Sequence, residues 1–221
     1  MNLPRKPLKQ KYRQLLLVLI ATFLISPFLK AGIGNILSVL LLLYTIILII
    51  RSLALPKLLF LIYVAIALIA FSLEVSASLG WVPSFNLTFA LFSQAIFALY
   101  LGGAAYWIGR DILTSSKVTP DMVRGGISVY LLIGFVWALF YGMVATLDAN
   151  AFSQPLDIQH SYLKALHFSF TTLTTLGYGD IVPISDIALV LTNLEAIIGQ
   201  MYPAIFIAIL VGGYLSRRSE Q

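Results

Sequence analysis

Six apolar runs divide this chain, at residues 15–29, 33–50, 58–79, 87–109, 125–147 and 187–215. A hydrocarbon layer about 30 Å thick is crossed by roughly 20 helical residues rising about 1.5 Å each. Lipid offers no partner for exposed backbone, so such runs cross it as helices that satisfy their own N–H and C=O groups. Of the 221 residues, 60% are apolar and 10% charged, against about 45–50% and 25% in a soluble domain. Mean hydropathy is +0.95, which leaves too little polar surface to cover a water-soluble globule. The expected fold is an all-α membrane protein with six transmembrane helices.

The net charge of +5 gains meaning from its placement. With both termini cytoplasmic, twelve of the fourteen basic residues fall on the inner side: Arg5, Lys6, Lys9, Lys11, Arg13, Arg51, Lys57, Arg110, Lys117, Arg124, Arg217 and Arg218. Only Lys30 and Lys164 fall outside. This is the bias that orients membrane helices, and it explains the basic balance with lipid rather than nucleic acid as the partner. A multi-pass protein of the plasma (inner) membrane is the expectation. The first run also fits a secretory signal, but Ser26-Pro27-Phe28-Leu29-Lys30 offers no small-x-small cleavage site, which favours a retained helix. Cysteine is absent and only His160 and His167 are present, so thiolate chemistry and a three-histidine metal site are excluded within one chain.

Residues 148–186 are too polar to span, yet they contain a helix-like stretch at 162–174. That pattern suggests a re-entrant segment, tolerated at membrane depth only inside protein or around water. It runs into Thr174-Thr175-Leu176-Gly177-Tyr178-Gly179-Asp180. Gly177 and Gly179 can adopt backbone angles closed to other residues, so successive carbonyls can point to one side. Four such strands around an axis would replace the water shell of a monovalent cation, with the Thr175 hydroxyl as an inner ring. The helix before them would aim its negative end at the cavity below, and Asp180 outside would concentrate cations. Gly-Tyr-Gly alone could be an ordinary turn. Its setting, after a threonine-rich helix and before Asp180, between two spanning runs, favours the cation path.

This segment resembles the filter of the potassium-channel family, Thr-x-Gly-Tyr-Gly followed by Asp. The resemblance covers residues 125–214, and the six-span frame is similar to that of voltage-gated members. It implies a homotetramer in lipid, with K+ ions in the filter and no other cofactor, and Thr175, Leu176, Gly177, Tyr178 and Gly179 coordinating them. Leu176 stands where valine or isoleucine is commoner, a change that keeps the carbonyl. The implied layout is a basic cytoplasmic segment 1–14, a four-helix domain 15–109, a linker 110–124, a pore domain 125–215 and a cytoplasmic end 216–221. Within the pore domain the outer helix is 125–147, the pore helix 162–174, the filter 175–180 and the inner helix 187–215.

Gly199 lies 22 residues past Gly177, a spacing that matches the family's hinge glycine, although a packing role fits equally well. Pro203 removes one helix hydrogen bond and marks a kink. If Gln200 faces the cavity, helical spacing places Ala204, Ile207, Val211 and Tyr214 on the same stripe as gate candidates, with packing on neighbouring helices as the equal alternative. Glu195 lies roughly 12 Å into the last run, where a lone charge would be costly. His167, Thr171, Thr172 and Thr174 are its expected partners, in a role supporting the filter from behind or in a packed interface holding the protonated acid.

Voltage sensing needs repeated arginine or lysine on the fourth helix, whereas residues 87–109 carry no charge before Arg110. The expected function is passive K+ flux without steep voltage dependence, and no enzymatic activity. A potassium transporter would resemble four pore repeats in one chain, and only one is present. The other alternative, a regulatory or non-conducting subunit of a channel assembly, has nothing in the filter that argues for it. An intramembrane hydrolase lacks a serine placed to work with His160 or His167.

Overall fold

The computed structural model describes residues 11–25, 44–45, 47–48, 56–78, 87–115, 118–156 and 158–219. Six helices lie within them: α1 Lys11–Ile25, α2 Lys57–Ser78, α3 Leu87–Leu113, α4 Pro120–Leu147, α5 Ile158–Leu173 and α6 Asp186–Ser219. No strand occurs among the described residues; one isolated bridge pairs Phe152 with Pro183.

Among the described residues, three helices are long and apolar enough to cross a membrane, Leu87–Leu113, Pro120–Leu147 and Asp186–Gly212. Tyr12–Ile25 and Lys57–Leu73 are shorter apolar helices. Of the second expected span, 33–50, all but residues 44, 45, 47 and 48 lie outside the described residues. The helical, membrane-embedded character of the chain follows from these elements.

Helix ends match their local chemistry. The Thr119 side chain accepts from the Met122 N–H at 3.2 Å, Pro120 occupies the first turn and Asp121 complements its positive end,. Ser185 plays the same part for α6, its hydroxyl accepting from the Ala188 N–H at 3.3 Å. Residues 110–124, expected as a linker, are largely helical, because α3 continues to Leu113 and α4 starts at Pro120. The stretch between α4 and α5 is short and polar, and α5 starts at Ile158 rather than 162.

α4 is the hub, packed against α1, α3, α5 and α6. Its buried residues include Ser128, Leu132, Phe135, Ala138 and Tyr141. Glycines permit two close approaches on it: a Cβ at Gly126 would fall 2.0 Å from the Phe206 ring, and one at Gly134 would fall 2.6 Å from Phe170. The first apolar run is packed as part of this core, with Tyr12, Leu15 and Leu19 buried against it.

Candidate functional site

α5 descends between α4 and α6 and ends at Leu173, where the chain reverses through 174–175 and climbs as an irregular loop to Asp180. The reversal stays attached to the helix that made it. The N–H of Thr174 donates to Phe170 O at 3.1 Å, that of Thr175 to Thr172 O at 2.9 Å, and that of Gly177 to Thr171 O at 3.1 Å. φ is +56° at Thr175, +54° at Gly177 and +77° at Gly179, and negative at Leu176 and Tyr178. This alternation of handedness turns successive peptide planes the same way, so carbonyls need not alternate sides as they do in a β-strand. Gly177 and Gly179 thus take the backbone angles expected of them from sequence, and Thr175 adds a third positive φ that was not expected. Among the described residues no donor reaches the carbonyls of 175–179. Leu176 and Tyr178 are exposed in the single chain, at 57% and 68%.

The outer end of the loop is tied down. His167 Nε2 lies 3.1 Å from Asp180 Oδ2, and its ring stacks on Tyr178 at 5.8 Å with a 6° interplanar angle. Gln154 donates to the Asp180 carbonyl at 2.9 Å and accepts from Lys164 at 3.1 Å. Ser153 and Val182 exchange two bonds, N–H to carbonyl at 2.9 Å and N–H to hydroxyl at 3.0 Å. The Gln154, Lys164 and Ser153 contacts carry no sequence signature, since they arise from a turn that brings 150–156 beside 180–184.

At the inner end, Gln200 donates to Thr175 Oγ1 at 2.9 Å. Gly199 abuts the last turn of α5, and a Cβ there would lie 1.9 Å from Leu173 O. Close packing is thus a demonstrated use of Gly199. Tyr130 donates to the same Leu173 carbonyl at 3.2 Å and stacks on Tyr202, which donates to Gly126 O at 2.8 Å. Pro203 sits inside α6. Gln200, Ala204, Ile207 and Val211 are all exposed in the single chain, on the stripe that helical spacing assigns them,; the Tyr214 side chain lies outside the described residues.

Glu195 is fully buried behind the loop, with different partners from those expected. Tyr141 of α4 donates to Oε2 at 2.5 Å, and Ser169 of α5 lies 2.6 Å from Oε1 and 2.8 Å from Gly134 O. His167 instead meets Asp180, while Thr171 and Thr174 hydroxyls turn back onto Phe168 O at 3.0 Å and Phe170 O at 2.6 Å. Thr172 is buried, and no hydrogen bond joins it to Glu195. The rotation of α5 explains the correction: Ala165 and Ser169, four apart, share the buried face, and Ser169 is the polar group that meets α6 at this depth,.

Residues 125–213 match the family model described as "Ion channel". A curated relative, "Two pore potassium channel a" of Oryza sativa subsp. japonica, is 32% identical over 92 residues, covering 42% of this chain and 24% of the relative. The chain thus matches about a quarter of that relative's length. No solved structure matches the chain. Two helices long and apolar enough to span, the shorter helix α5 and a glycine-bearing loop of alternating handedness between them thus make up residues 125–213, the stretch that matches the ion-channel model, in a chain similar over 92 residues to a two pore potassium channel.

Proposed function

We propose that this chain is one subunit of a homotetrameric channel giving passive, K+-selective flux across the plasma (inner) membrane, with six spans and both termini cytoplasmic. The observation that carries the reading is the loop 175–179, in which the N–H groups of Thr175 and Gly177 donate to α5 while its carbonyls accept from no described residue. Carbonyl oxygens that no protein donor takes are free to face a cation, and a ring of them can replace a hydration shell. Four copies are needed to close that ring. The apolar surface left uncovered on α6, including Ile187, Val190, Ile197, Met201 and Ile205, supports contact with other copies and lipid,.

The stripe from Gln200 through Ala204, Ile207 and Val211 to Tyr214 serves as cavity wall and apolar gate, and Gly199 with Pro203 sets the bend above it. Asp180 and its His167 partner hold the outer mouth. Glu195 supports the filter from behind through Ser169.

Liposomes carrying the purified protein test this reading. They should show four chains per particle and a K+ flux blocked by barium. Gly179→Asp should abolish selective flux while membrane insertion persists, because a side chain at φ +77° costs about 1–2 kcal/mol per subunit and breaks the loop,. Selective flux surviving in this variant would overturn the filter assignment.

A further inference from the structure

Thr175 is the only described residue other than glycine with positive φ. Its N–H is held by Thr172 O at 2.9 Å, so the backbone is pinned and the direction of the hydroxyl rests on one side-chain torsion,. Gln200 Nε2 meets that hydroxyl at 2.9 Å from a different helix, 25 residues away. The approach is built into the fold. Gly199, one residue earlier, lets α6 touch the Leu173 carbonyl, and a Cβ of 1.9 Å clearance could not be accommodated. Pro203 lacks the N–H that would bond the Gly199 carbonyl, which loosens α6 at the level of this contact,.

A threonine hydroxyl has one proton and two acceptor lone pairs. Donation from Gln200 takes one lone pair and fixes the rotamer, leaving the other to a ligand. No described residue donates to the Gln200 carbonyl oxygen. We propose that Gln200 is a positioning residue for a cation site at the inner end of the filter, where four Thr175 hydroxyls, each held by a Gln200 carboxamide, bind a partly dehydrated monovalent cation.

This rests on the channel reading and extends it. Without the amide, Thr175 Oγ1 is free to rotate, so the site loses affinity while the carbonyl rings above it keep their own attachments to α5 and to the outer loop.

The test uses the full chain in planar bilayers, with barium, near potassium in size and doubly charged, added separately to each side. Gln200→Leu removes all four contacts and should weaken block from the cytoplasmic side by at least about fivefold, the worth of a single hydrogen bond, and weaken it more than block from outside. Gln200→Asn, one methylene too short to reach, should do the same and serves if the leucine variant does not assemble. Thr175→Ala should weaken cytoplasmic-side block similarly, and adding Gln200→Leu to it should have no further effect, since the two share one interaction. Thr175→Ser, which keeps the hydroxyl, should retain the dependence on Gln200. Unchanged block in both Gln200 variants, or effects that add in full to Thr175→Ala, would overturn the role of Gln200 in a channel that otherwise conducts K+ selectively. A parent protein passing no K+ would overturn the channel reading and this site with it.

Discussion

Glu195 of α6 is fully buried between Tyr141 of α4 and Ser169 of α5. Ser169 has one hydroxyl proton and two acceptors in reach, Gly134 O at 2.8 Å and Glu195 Oε1 at 2.6 Å. A proton on the carboxyl completes the set: the acid donates to Ser169, Ser169 to Gly134, and Tyr141 to the second carboxyl oxygen. Glutamine offers the same donor and acceptor in the same shape. Glu195→Gln should therefore assemble and conduct like the parent, while Glu195→Ala leaves a void and unpaired hydroxyls and should lower stability by about 2–4 kcal/mol per subunit. Tetramer melting in detergent checks both; a large loss in the glutamine variant would mean that the site holds a carboxylate. Gly199 gives a sharper steric case. Gly199→Ala drives a methyl into the Leu173 carbonyl and should cost about 1–3 kcal/mol with loss of the tetramer, whereas Gly212→Ala, where nothing lies within 4 Å, should be silent,. The sequence made Gly199 and Glu195 visible as an isolated glycine and an isolated acid in an apolar run. It could not reveal Ser169 or Tyr141, because which face of α5 and α4 meets α6 depends on helix rotations that only packing decides.

At the scale of elements, the helices of residues 125–213 were the most legible part through their apolar runs, whereas their caps, written in polar residues ahead of those runs, went unread. Thr119-Pro120-Asp121 starts α4 and Ser185-Asp186 starts α6. Boundaries moved where polar residues extend a helix beyond its apolar run: Arg110 and Asp111 stay in α3, and Ile158 opens α5 earlier than hydropathy suggests. α3 ends with Arg110 stacked 5.1 Å over Trp107, and no other basic residue lies along it. Each charge crossing the field supplies about 2.3 kcal/mol per 100 mV, so this helix has no charge series to drive opening. Recordings across ±100 mV should give a gating charge below about one unit per channel; several units would contradict it. α1 has a different task. Tyr12 donates from its hydroxyl to Asp111 at 2.6 Å and from its N–H to Asp121 at 3.4 Å, joining α1 to both sides of the α3–α4 connection. Tyr12→Phe should lower thermal stability by about 1–2 kcal/mol without changing ion selectivity, measurable by melting and by reversal potential on the same protein.

For the molecule as a whole, α4 joins two halves of unequal clarity. On one side it packs against α5 and α6, which flank the loop 175–180; on the other it meets α1 and α3. The turn of the loop 175–179 was readable because positive φ at two positions calls for glycine within one continuous stretch,. Its clamps were not, because Gln154, Ser153 and Lys164 reach it only through the fold. All of these contacts serve one claim, that the carbonyls of 175–179 are held open for K+. The most direct measurement is the reversal potential of the reconstituted protein with K+ on one side of a bilayer and Na+ on the other. The account predicts a potential tens of millivolts from zero, in the direction of K+ flow and abolished by Tyr178→Ala; a reversal potential at zero in the unaltered protein, with equal K+ and Na+ currents, would contradict it.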